Sequence, residues 1–552
     1  MYTTMFIRLS AGLMSGLIAC WGGAVAQQTT VPQNWHLLDK VHDGVWGIGI
    51  NSAYTTLLKG KTPRTVLVAV IDSGIDTLHE DLRPVLWHNP GEQNNGRDND
   101  GNGYKGDVFG WNFIGDTADV HHNLIRDSDE GTRFYYAHKS RFAKVTDERQ
   151  LAAKDRKLYS DWLRSARALA RNTEAQRAVD ELQSYLQNSY PRWDTLFQHL
   201  LAMDTYTGKE VEAFTTDDRI LKMERFFYAR LFAKVKPGTT NKTLPQALKP
   251  VMDSMQLLVK IPDTPPADYR AAVVKDDYFN LKDRFYGNSN VMAENMLHGT
   301  HASGIIGAVR NNGIGVDGIA DNVQLMMVRV TPDGDEHDKD VALAIRYAVD
   351  NGAQIINMSF GKAWSPQQQW VEEAIEYARR KDVLIVKAAG NSGINLDSLP
   401  DYPTNRYRKS RRLIPNMLTV GASGPLREEL VSPFSNYGRE TVDVFAPGMQ
   451  VYSTVGLLRA GTIVHEYQPR SGTSMAAPVV TGIAAVLKAY YPQLSAVQIK
   501  QLIEASVTKV EGMVYQPQTN RQLITMAALC RTAGIVNAYR AVELAEAFTR
   551  GR

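Results

Sequence analysis

Cysteine is nearly absent. The two present, Cys20 and Cys530, exclude a disulfide scaffold. Charge of one sign is not in excess either. The formal net charge is +3 and no long basic run occurs, which argues against nucleic acid as the main partner. Beyond the N-terminus, no segment reads as long and apolar enough to span a bilayer. Internal repeats and low-complexity tails are missing. What remains is the balance of a soluble globular protein, 43% hydrophobic and 22% charged. At 552 residues it can hold a large core and more than one lobe.

The N-terminus reads as an export signal over residues 1–26. Arg8 supplies a positive charge, a short apolar stretch follows, and Ala24 and Ala26 offer a small-residue cleavage site. Leu17-Ile18-Ala19-Cys20 gives a second reading, a lipobox with Cys20 as a lipid-anchored N-terminus. The expected location is therefore secreted or periplasmic, with membrane anchoring through Cys20 as the alternative.

Three zones differ in texture. Residues 27–115 are rich in turns and short apolar runs. "TVLVAVID" (65–72) is near-continuously apolar and ends in a carboxylate, the pattern of a strand buried on both faces of a parallel sheet. Residues 116–284 are charged, with apolar residues at helical spacing: Leu151, Leu158, Trp162 and Leu169, then Val179, Leu182 and Leu186. "TTDDRILKMERFFYARLFAKV" predicts a helix with Thr216 as N-cap. These positions read as core, with no cofactor box among them. Residues 285–552 return to strand-like runs ("VQLMMVRV", "AQIINMSFG", "VLIVKAAGN") alternating with helical ones. The expectation is an α/β fold, a mainly parallel sheet with helices on both faces, interrupted by an all-helical insertion.

In such sheets ligands gather at the carboxyl ends of strands. Asp72 and Asn391 sit at two of these ends. His298 in "HGTHASGIIGA" and Ser474 in "SGTSMAAP" each open a helical pattern. Singly, each has an ordinary structural reading: a turn aspartate, a hydrogen-bonding histidine, a serine N-cap. "DNDGNGYKGD" offers another cluster. Asp98, Asp100, Asn102 and Gly103 follow the first half of a calcium-loop pattern. Phe109 stands where the last glutamate belongs, and Asp107 is a possible substitute. The competing reading is a polar surface turn.

Taken together, "VIDSGIDTLHEDL", "HGTHASGIIGA" and "SGTSMAAP", in that order, resemble the motifs of subtilisin-like serine proteases, the subtilases. The likeness continues through "NNGIGVDGIA", "NMSFG", "AAGNSG" and "FSNYG…VDVFAPG". It implies the subtilisin-like three-layer fold and a serine endopeptidase acting on polypeptides through an acyl-enzyme, without an organic cofactor. Ser474 would be the nucleophile, His298 its base and Asp72 the orienting carboxylate. The Asn391 side chain and the Ser474 N–H would form the oxyanion hole. Ser359, Phe360 and Gly361, with the stretch after "VRVTPDG", would hold the substrate as an added strand. Ala388, Ala389 and Gly390 would line the primary specificity pocket. Asp81 and Asn312 match a second calcium site of many subtilases. The alternative is a catalytically silent or latent module that binds proteins through the helical insertion.

Two departures from the family pattern stand out. Asp72 and His298 lie 226 positions apart, because the helical zone intervenes. Only about forty residues separate the signal from Asp72, too few for the usual inhibitory prosegment. The expectation is that the insertion takes over part of that role.

Overall fold

The computed structural model describes residues 31–550 apart from 94, 146–147, 173, 258–264 and 520. The expected signal and Cys20 lie outside the described residues. Thirteen strands are present among them: β1 Val66–Asp72, β2 Gly110–Asn112, β3 Val323–Arg329, β4 Ile355–Met358, β5 Leu384–Ala388, β6 Met417–Ser423, β7 Val444–Pro447, β8 Val451–Arg459, β9 Thr462–Arg470, β10 Thr508–Lys509, β11 Met513–Tyr515, β12 Leu523–Thr525 and β13 Gly534–Ile535. Nine form one sheet in the order β10-β13-β7-β6-β5-β4-β1-β3-β2. All pairings in it are parallel except that of β10 with β13.

The apolar runs explain the layering. Side chains alternate across a strand, so a strand covered on both faces must be apolar at nearly every position. In β1, Val66, Val68 and Val70 enter one core with the helix Thr473–Tyr490, while Ala69 and Ile71 enter the other with Asp338–Asp350 and Gln368–Arg380. The result is the expected three-layer α/β arrangement. The helix Thr473–Tyr490 is long and apolar enough, by length and composition, to cross a membrane, which corrects the expectation from sequence. It is 83% buried here, because it runs through the middle of the core and is apolar all round.

Between β2 and His298 the described chain is mostly helical, from Glu130–Phe142 to Tyr269–Val273. Two aromatic clusters hold these helices. Tyr135, Phe142, Tyr159 and Trp162 form one, and Trp193, Phe197, Tyr206, Tyr228 and Phe232 centre the other. Trp162, Val179 and Leu182 are buried as their spacing predicts. The helix Arg219–Phe232 is capped by Asp218, not Thr216. The Asp218 carboxylate accepts from the N–H of Ile220 and of Leu221, while the Thr216 hydroxyl only accepts from Asp218 N–H. Two backbone hydrogen bonds close the excursion, Asn112 N–H to Asn288 O at 2.9 Å and Asn288 N–H to Asn112 O at 3.0 Å.

Candidate active site

Asp72 ends β1 and is 1% exposed. One carboxylate oxygen, Oδ1, accepts from Ser73 N–H and from His298 Nδ1, both at 2.7 Å. Because a carboxylate only accepts, this bond places the imidazole proton on Nδ1 and leaves Nε2 as an acceptor. Burial works against the charged imidazole. The Asp72 carboxylate and its hydrogen bond outweigh it and raise the His298 pKa above its ordinary value.

Small residues make this contact possible. The helix Leu297–Gly307 carries His298 in its first turn. A Cβ on Gly299 would lie 2.2 Å from Gly74 O and 3.2 Å from Asp72 Cβ, so the histidine helix rests directly on the aspartate turn. Gly74 itself has φ +137°, a conformation that favours glycine. Gly304 admits β8 in the same way, with Thr454 Oγ1 2.2 Å from where a Cβ would stand.

Ser474 is the second residue of the helix Thr473–Tyr490, and Gly472 is the N-cap. The capping reading of the serine therefore fails. Its N–H lies in the first turn, where no carbonyl four residues back is available. The Ser474 hydroxyl donates to Ser359 O at 2.9 Å, and Ser359 Oγ donates back to Ser474 O at 2.9 Å. This reciprocal pair ties the loop after β4 to the serine helix. Asn391 follows β5 and Gly390, which has φ +99°. Its Oδ1 accepts from Thr473 N–H at 2.8 Å and from the Thr473 hydroxyl at 2.9 Å. With the carbonyl end so engaged, the amide NH2 is the end left for a ligand. The Thr473 hydroxyl also accepts from Gly390 N–H. Sequence reasoning did not single out Thr473, whose only signal was its place beside Ser474.

The segments expected to hold a peptide lie close by. Ser359, Ala388 and Ala389 are buried, and Phe360 packs partly buried on the sheet's second core. Lys362, next after Gly361, is a buried cation with three partners: Glu130 at 3.0 Å, Asp338 at 2.9 Å and Glu336 O at 2.6 Å. Burial disfavours its charge, but these carboxylates outweigh it and raise its pKa. Glu130 opens the first helix of the inserted segment, and Gly131 packs on Trp364. The inserted helices are thus anchored one residue away from the expected substrate strand.

Of the expected calcium residues, Asp98 and Asp100 come together with Glu92, which the sequence pattern did not reveal. Asp107 and Asn102 stand beside them in another role. Asp107 is buried, accepts from the Tyr347 hydroxyl, Asn89 and Asn102, and is pushed up to about 6 by burial. Asn102 also donates to Asp100. In the second expected site Asn312 turns its Nδ2 to Asp81 Oδ1 at 2.6 Å, while its Oδ1 accepts from Ile314 N–H.

The subtilase family model matches residues 63–523, and the chain belongs to the subtilase family. It is 33% identical over 260 residues to thermitase of Thermoactinomyces vulgaris, covering 47% of this chain and 79% of thermitase. It is 36% identical over 216 residues to a thermophilic serine proteinase of Bacillus sp. (strain AK1), covering 39% of this chain and 48% of that protein. It is 35% identical over 200 residues to an extracellular basic protease of Dichelobacter nodosus, covering 34% of this chain and 31% of that one.

Proposed function

We propose that this protein is an exported serine endopeptidase that hydrolyses polypeptides through an Asp72–His298–Ser474 triad and an acyl-enzyme. The observation that carries the reading is the 2.7 Å bond from His298 Nδ1 to the buried Asp72. The Ser474 hydroxyl turns from Ser359 O toward His298 and gives its proton to Nε2 as its oxygen attacks the carbonyl carbon. Asp72 holds the ring and stabilises the imidazolium. The Asn391 amide and Ser474 N–H donate to the developing oxyanion, and neither has to reorganise to do so. The imidazolium then protonates the leaving amine. Water, deprotonated by His298, attacks the acyl-enzyme and releases the acid. The peptide lies along Ser359–Gly361 and is held largely through its backbone. The name of the Dichelobacter nodosus relative supports export.

The test compares wild type with Ser474→Ala, using a fluorophosphonate probe and an unstructured protein substrate. Wild type labels and cleaves. The variant does neither, with turnover lower by roughly 10⁶-fold, the scale of a lost subtilisin serine. A folded wild type that takes no label, with calcium present, overturns the reading and favours the silent binding module.

Calcium is proposed at Glu92, Asp98 and Asp100, whose oxygens lie within 4.8 Å of one another, as a hard cation requires. It would supply structural charge balance to a surface loop. A chelator is expected to lower Tm in wild type and to leave Asp98→Asn/Asp100→Asn unchanged. Equal shifts in both would remove the site.

A further inference from the structure

Gly361 and Gly390 approach a common side chain. A Cβ on Gly361 would lie 2.1 Å from Asp401 Oδ2, and one on Gly390 would lie 3.8 Å from Asp401 Cγ. The Asp401 carboxylate therefore stands between the two segments assigned to the pocket. Behind it is Lys387, the residue before Ala388, with its side chain 1% exposed. Lys387 Nζ donates to Asp401 Oδ2 at 2.5 Å and reaches Asp401 O at 3.5 Å. Among the described residues it has no other hydrogen-bond partner, and Asp401 Oδ1 has none at all. The Asp401 side chain keeps 14% exposure.

We infer that Asp401 is the specificity-determining residue of the primary pocket and that Lys387 masks its charge, so the pocket takes an uncharged hydrogen-bond-donating side chain, amide or hydroxyl, ahead of lysine or arginine. This rests on the reading that Ser359–Gly361 and Ala388–Gly390 line that pocket. The ion pair is neutral as a unit. Its free oxygen accepts one hydrogen bond, and an amide or hydroxyl supplies it without adding charge. A basic side chain would place a second cation beside an anion already shared. An acidic side chain would meet a like charge. An aliphatic one would leave Oδ1 unpaired and partly desolvated.

The test uses peptides that differ only in the residue before the cleaved bond: Gln, Ser, Leu, Arg, Lys or Glu. kcat/KM is measured for wild type, Lys387→Met, Asp401→Asn and the double variant. Fluorophosphonate titration puts every rate on a per-site basis, so a poorly folding variant is recognised and the others still decide. Wild type is expected to prefer Gln and Ser over Arg and Lys by about tenfold or more. Lys387→Met unmasks the carboxylate and should raise Arg and Lys relative to Gln by about tenfold to a hundredfold. Asp401→Asn leaves Lys387 as an unpaired cation and should raise Glu relative to Gln, and the double variant should show no charge preference. A wild-type preference for Arg or Lys overturns the inference. So do ratios that move less than about twofold in every variant that titrates. If wild type takes no label, the protease reading itself has failed, and this inference falls with it.

Discussion

The sheet body and the inserted helices are built from different side chains. On the face of the sheet that carries the helix Thr473–Tyr490 the core is small and branched: Val68, Val70, Val386, Val420, Ala476, Ala477 and Ala484. In the inserted segment it is aromatic, with Trp193, Phe197, Tyr206 and Tyr228 at one centre. Small residues let backbones meet, and the contact of His298 with Asp72 depends on backbones meeting, as where Gly299 sits on Gly74. Large rings fill space between helices with few residues, and their hydroxyls find local partners. Tyr206 and Tyr228 are hydrogen-bonded at 3.0 Å, and Tyr206 also reaches Asp194 at 2.8 Å. One region fixes atoms and the other fills volume. They meet through the Glu130–Lys362 ion pair and through the packing of Gly131 on Trp364.

The sharpest contrast is at Asp72. Asp72→Asn should lower kcat by about 10⁴-fold, because the amide no longer enforces the productive tautomer. In the proposed mechanism His298 must be neutral to act as base, and Asp72 raises its pKa. kcat/KM should therefore fall toward acid with a midpoint above 6.5, and in Asp72→Asn that midpoint should drop below the wild-type value. The same pair stabilises the folded state below the unfolded imidazole's pKa and ceases to do so as pH rises through the folded value. Phe197→Ala probes the other region. It should cost about 3–5 kcal/mol of local stability, read as lost hydrogen-exchange protection in Tyr190–Leu201 and Arg219–Phe232. Fluorophosphonate labelling of Ser474 should persist, and its loss would erase the distinction between the two regions. Asn391→Ala should lower kcat by about 10²–10³-fold with KM little changed. A matching rise in KM would instead mark Asn391 as a ground-state contact.

The sheet was legible because a strand buried on both faces must be apolar at nearly every position, as in "TVLVAVID" and "VLIVKAAGN". Asp72 and Asn391 were legible as the polar residues where such runs stop. The short strands β10 to β13 were not, since two or three residues carry no periodicity. Thr216 and Asp218 both have capping chemistry, and only the turn geometry chooses between them. Lys387 stands inside an otherwise apolar run, and the sequence assigned it no role. Its meaning lay 14 positions away at Asp401, beyond any local pattern. Glu92 was hidden for the same reason, standing outside the loop spacing that flagged Asp98 and Asp100.

The paired asparagines Asn112 and Asn288 bear on folding as a polymer problem. They close a loop of 176 residues with two backbone hydrogen bonds. The entropy of closing a flexible loop grows only with the logarithm of its length, about 0.6 kcal/mol for each doubling. Growing that excursion from roughly 20 residues to its present length is about three doublings, so the added cost is only about 2 kcal/mol. A helical core formed within the loop can offset a penalty of that size. Asp72 and His298 can therefore stand 226 positions apart in the chain and still meet across 2.7 Å.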